Sequence, residues 1–185
     1  MSSGIQLKAT SFRAYLSVLD KDELRAAIVA RVPRETAALM AAPPLGGSWM
    51  DFITMLHITE AMEEVGGMAG VRELARKGTN EARKPYMGVV ETVIKLFGTS
   101  PATLFKRMNS LVGSFIRGID FQYIAKSERS GVMEVTFLPE YPIPMCVFVS
   151  QVPSYQTLFE TCGVSGVIGQ PERVSTQKAR TTLQW

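Results

Sequence analysis

The chain has 185 residues, of which 46% are hydrophobic, 20% charged and 9% aromatic, the size and composition of one globular domain with a self-sufficient core, which excludes the disordered and fibrous classes. Lysine and arginine number 20 against 17 aspartates and glutamates, too small an excess for a nucleic-acid-binding surface. Two cysteines, Cys146 and Cys162, are too few for a disulfide framework; no apolar run approaches the ~20 residues of a membrane span and Met1 to Thr10 has no apolar signal region, so a cytoplasmic location is expected.

In chain order, Ile5 to Leu7 reads as a strand or an arm, and the rest of the first third as helix. Asp20 and Glu23 resemble a capping box ahead of Leu24, Ala27, Ile28 and Val32, with Pro33 as the stop. A short helix over Arg34 to Ala42 ends at Pro43-Pro44. Ser48 is expected to cap the next helix, which carries Phe52, Met55, Leu56 and Met62 on one side and ends at Gly66-Gly67. Met68 to Ala82 mixes charged and apolar residues and reads as an outer helix. Tyr86, Val90, Val93 and Phe97 repeat as a core-facing stripe after Pro85, and Gly98 closes it. Ser100-Pro101 is the clearest helix start, an N-cap followed by proline at N1, with Leu104, Met108, Leu111 and Phe115 continuing the spacing up to Gly118.

From Ile119 the period changes to two: Phe121, Tyr123 and Ala125, a polar turn over Ser127 to Gly131, then Met133, Val135 and Phe137 predict a β-hairpin. Pro139, Pro142 and Pro144 mark an extended crossover. Met145 to Ser150 is ambiguous. A helix is expected over Pro153 to Cys162 with Gly163 as its stop, then a strand over Val164 to Ile168. Ala179, Thr181, Leu183 and Trp185 alternate with Lys178, Arg180, Thr182 and Gln184 in a last strand, whose polar residues read as a solvated face. The expected fold is therefore α+β and a single domain over 1–185: a helical part over about 11–118, followed by a small, mainly antiparallel sheet packed on helices over about 119–185.

Chemistry-bearing motifs are sparse. His57 is the single histidine, so every Ser-His-Asp or Cys-His arrangement would have to be built on it, and no histidine cluster can hold a metal. It falls off the Phe52/Leu56 stripe, near Glu60, and reads as a flank residue or as a haem contact. Cys162 at a helix end has its thiol pKa raised rather than lowered by the dipole. Gly66-Gly67-Met68-Ala69-Gly70 lies between helices and is no phosphate loop. Ten methionines, several beside the inward stripes (Met55, Met62, Met87, Met108), together with aromatic residues of the facing elements, suit either a core or an adaptable apolar cavity.

Val32-Pro33-Arg34-Glu35, then Gly47-Ser48-Trp49-Met50, then Phe105-Lys106-Arg107-Met108, the Phe115 region and a final strand ending in Trp185 resemble an uncharacterised myxobacterial paralogue family. The resemblance covers nearly the whole chain and extends to 4-vinyl-reductase-like and TRAPP-type domains, implying an α+β fold used for small-molecule sensing, lipid or acyl binding and assembly. The chain departs from it in having no cysteine in Val164 to Trp185 for a zinc hairpin, and Met50-Asp51 where the pattern has Tyr-Pro. Tyr123, Ser127 and Arg129 do not have the spacing of the tyrosine-serine-arginine haem-propionate pattern of gas-sensing proteins.

The leading expectation is a non-catalytic signalling or assembly module without a cofactor, binding a partner protein or a hydrophobic small ligand, with Trp49, Phe52, Phe115 and Tyr155 as ligand-binding residues. The alternative is a haem or gas sensor using His57. A third reading, an enzyme on an apolar substrate, has only His57, Glu60 or Glu64 as a base. A homodimer through the helical half is compatible with each.

Overall fold

The computed structural model describes residues 4–84, 100–138 and 142–185. Strand β1 (Gln6–Lys8) runs directly into α1 (Ala9–Lys21), followed by two short helices, α2 (Arg25–Val29) and α3 (Arg34–Ala41). Asp20 therefore lies inside the last turn of α1 and caps nothing; both its carboxylate oxygens accept from Arg25 Nη1, at 2.8 and 2.9 Å. The chain turns at Glu23, whose φ is +57°.

Strand β2 (Trp49–Asp51) pairs antiparallel with β1, and β3 (Ile116–Arg117) takes the other edge of β1, so three short segments make a second small sheet. Ser48 is not the cap expected of it. Its carbonyl holds Ala9 N across to α1, while Asp51 Oδ1 accepts from Ile53 N at the start of the long α4 (Ile53–Arg83). Helix α4 is two helices meeting at a kink at Gly67 (φ +61°, ψ −169°), so the first ends at the glycine pair as expected and the second follows directly. Its second part is no outer helix: Val71, Leu74 and Ala75 are buried, and α1 packs along α4. The stripe expected from Tyr86 to Phe97 lies outside the described residues.

Ser100 caps α5 (Pro101–Lys106) as expected, its Oγ accepting from Thr103 N at 3.2 Å with proline at N1. The helix then breaks at Arg107 before α6 (Met108–Val112), so the continuous helix to Gly118 is not formed. The expected hairpin is present as β4 (Ile119–Ser127) and β5 (Ser130–Phe137). After Pro144 the ambiguous stretch is a helix, α7 (Met145–Val149), and α8 (Val152–Thr161) ends at Gly163 with φ +68°. Of the strand expected over Val164 to Ile168 only β6 (Val167–Ile168) forms; β7 (Glu172–Arg173) and β8 (Lys178–Gln184) complete the sheet.

The larger sheet is antiparallel in every described pairing, in the order β4-β5-β8-β6, with β7 beside the first half of β8. Its register places Phe121 opposite Val135 and Val135 opposite Ala179 on one face, which the helices bury. Phe105 of α5 meets Tyr123, Tyr155, Phe159 and Trp185 at ring-centroid distances of 5.5 to 6.2 Å, joining hairpin, α8 and the C-terminus in one aromatic cluster. On the other face Lys178 and Arg180 are not simply solvated, because both hold the buried carboxylate of Glu134. No described helix is long and apolar enough to cross a membrane.

Candidate functional site

A cavity of about 180 Å³ opens among α1, α4, α6, α8 and the start of β4. Its described walls are mostly apolar: Phe52, Met55 and Met62 from the first part of α4, Val71, Leu74 and Ala75 from the second, Met108 and Leu111 from α6, Phe121 from β4 and Leu158 from α8. The break at Gly67 lies between the two parts of α4 that contribute walls. An engineered cavity of ~150 Å³ with walls of this kind stays dry and takes up benzene, so the space here suits a small apolar molecule.

The polar side chains in the described wall are hydroxyls and the amide of Gln151, whose Nε2 donates to Val147 O at 3.4 Å. Thr59, Thr157, Thr161 and Ser150 donate to backbone carbonyls of their own helices, at 2.7 to 3.1 Å. Tyr15 is partly buried; desolvation raises its phenol pKa above the ordinary value, against a hydrogen bond with Thr79 that lowers it. Ser11 Oγ is buried with no partner among the described residues. None of the described lining residues is a lysine, arginine, aspartate or glutamate.

Of the four residues expected to bind a ligand, Phe52 and Phe115 line this cavity. Trp49 and Tyr155 are placed elsewhere. Trp49 sits on the three-stranded sheet with Lys8 Nζ 4.4 Å from its ring centroid on one contact and Arg117 Cζ 3.9 Å on another, a cation–π arrangement. Tyr155 is in the aromatic cluster with Phe105, its hydroxyl buried and unpartnered among the described residues. His57 faces α3, where Nδ1 and Thr36 Oγ1 are 2.8 Å apart, and is not part of the cavity wall. The thiol of Cys146 is pushed up to about 12 by burial and then by the neighbouring Glu63 carboxylate; burial also raises that of Cys162. Sequence reasoning missed Ser11, although the four-residue step from Ser11 to Tyr15 places both on one face of α1.

No family model and no curated protein matches this chain. Solved structures do. The Fe(II) unliganded H-NOX protein from K. algicida, in a single-substitution mutant, matches with a TM-score of 0.71 at 12% identity over 96% of both chains. The same protein without the substitution gives 0.66 at 12% identity over 96% of both chains. An oxygen-binding H-NOX domain related to soluble guanylate cyclases gives 0.60 at 8% identity, covering 96% of this chain and 94% of the other. The chain thus has the H-NOX fold. This corrects the assignment to a myxobacterial paralogue family and to 4-vinyl-reductase-like or TRAPP-type domains. That assignment rested on apolar and turn patterns of low specificity, while the backbone superposes on H-NOX domains along nearly its whole length. Among the functional readings, the haem- or gas-sensor alternative is closer than the signalling or assembly module to what the descriptions of these structures say of those proteins.

Two of the matching structures concern haem or porphyrin distortion, one of them in the H-NOX family. A haem requires an axial ligand, commonly imidazole, thiolate, thioether or phenolate, and cations for its carboxylates. The only histidine and both cysteines are described residues, and none lines the cavity. The Tyr15 hydroxyl is hydrogen-bonded to Thr79, and no described cation faces the space. The described residues therefore do not fit a haem, leaving the thioethers of Met55, Met62 and Met108 as the only other ligand type on the described walls.

Proposed function

We propose that this chain is a small-molecule sensor domain of H-NOX architecture that receives its ligand, a gas or another small uncharged molecule, directly in the apolar cavity between α1, α4, α6 and α8. The observation that carries the reading is the cavity itself: about 180 Å³ with mostly apolar described walls and no described charged residue, in a fold whose solved examples include an oxygen-binding domain. Water gains little in such a space and a small apolar molecule gains the contacts that the empty walls lack. The proposed role is non-catalytic, supported by the absence of any carboxylate, imidazole or thiol from the described walls. Free Cys146 and Cys162 support a reducing, cytoplasmic setting. A protein partner or a second copy of the chain would receive the signal.

Native mass spectrometry of freshly purified protein, with and without added haemin, tests the reading. The expected result is a bound species of at most about 200 Da, or thermal stabilisation by small apolar probes, with no sharp Soret band. Stoichiometric haem with a sharp Soret band that His57→Ala abolishes would overturn it in favour of a haem sensor.

A further inference from the structure

Within the proposed cavity one wall atom is out of keeping with its surroundings. Ser11 is 4% exposed, sits on α1 in the cavity wall, and its Oγ has no hydrogen-bond partner among the described residues. A buried hydroxyl without a partner is a net cost to the fold, and native proteins pair most such groups. The contrast with its neighbours is specific: Thr59, Thr157, Thr161 and Ser150 satisfy their protons on helix carbonyls, and Tyr15 is paired with Thr79. Ser11 has the same option of bonding back along α1, and the structure does not use it.

We propose that Ser11 Oγ is the recognition group for the ligand's single polar atom, and that the cavity takes an uncharged, compact, largely apolar molecule of about ten non-hydrogen atoms or fewer bearing one hydroxyl or carbonyl oxygen. This rests on the sensor reading above and narrows it. The size follows from the volume, which slightly exceeds that of a cavity holding benzene. The lack of charge follows from the walls, where no described lysine, arginine, aspartate or glutamate could neutralise an ionised ligand. The single oxygen follows from Ser11 Oγ being the one buried hydroxyl without a partner among the described wall residues, and a hydroxyl can both donate and accept.

The probes are p-cresol and p-xylene, which have the same number of heavy atoms and differ by exchange of a hydroxyl for a methyl. Binding is measured by calorimetry and by thermal shift on the full chain. The expected result is at least tenfold tighter binding of p-cresol to the native protein, and a ratio near one in Ser11→Ala, with p-xylene affinity unchanged or improved. Ser11→Ala should also fold at least as stably as the native protein when empty, since it removes the unpaired hydroxyl. Equal affinity of the two probes for the native protein, or a preference that survives in Ser11→Ala, overturns the role of Ser11 and leaves the cavity reading standing. Binding of neither probe overturns the direct-cavity reading and this inference with it.

Discussion

Glu134 shows how a residue can be hidden on the open face of a sheet. The residue is 7% exposed on β5, with its carboxylate paired to Lys178 and Arg180 from β8, where Arg180 stands directly opposite in the register. Alternation alone makes this face polar and therefore solvated, but alternation says nothing about cross-strand charge pairing. The hydrogen bond from Lys178, then its charge and the contacts of Arg180, hold the Glu134 carboxyl below the usual carboxylate range. An unfolded glutamate titrates near ~4.3, so with a depressed folded value the stabilisation is complete above that pH and is lost as pH falls through the folded value. Glu134→Gln should therefore cost about 1 kcal/mol at pH 7, the scale of a networked surface pair, and almost nothing near pH 3. Urea denaturation of both proteins at pH 7, 5 and 3 measures this; a gap as wide at pH 3 as at pH 7 would show that shape and not charge is responsible.

At the scale of elements, α4 depends on one backbone conformation. Gly67, at φ +61° and ψ −169°, occupies a region that side-chain-bearing residues avoid, and a Cβ there would touch nothing within 4 Å. Any penalty of Gly67→Ala is thus backbone strain alone, about 1 to 3 kcal/mol. Gly47→Ala, also open and without a positive φ, should stay within about 0.5 kcal/mol of the native protein. A denaturant midpoint series on the pair checks the contrast. The glycine pair was legible in sequence as the junction of two helices; that both halves line one cavity was not, because tertiary packing decides it. Local signals were read where they are self-contained: Ser100-Pro101, the hairpin turn, Gly163 and the alternation of β8. The β2-β1-β3 sheet was not read, because strands of two or three residues show no period and Gln6 pairs with Arg117 across most of the helical part. The cavity was half legible. Met55, Met62, Met108, Phe52 and Phe115 announce an apolar lining, whereas a lone serine on α1 reads as solvent-facing until the packing of α4 encloses it.

For the whole molecule, the cavity couples ligand binding to stability, because α4 walls it on both sides of its break and α1, α6 and α8 close it. A ligand held there binds the folded chain and not the unfolded one, so at 100 times its Kd it stabilises by about 2.7 kcal/mol. For a chain of this size that is a rise of roughly 5 to 11 °C in Tm. The same space can be filled from within. Ala75 is 1% exposed and lines the cavity, so Ala75→Leu would project extra apolar atoms into space that the native side chains leave empty. Where room exists, added methylenes recover contacts without the strain of overpacking. Ala75→Leu should therefore raise the Tm of the empty protein and abolish most of the p-cresol shift, a reciprocal exchange that scanning calorimetry with and without the probe measures directly. If Ala75→Leu instead lowers Tm while the p-cresol shift persists, the ligand is bound somewhere other than this cavity, and the direct-cavity reading falls.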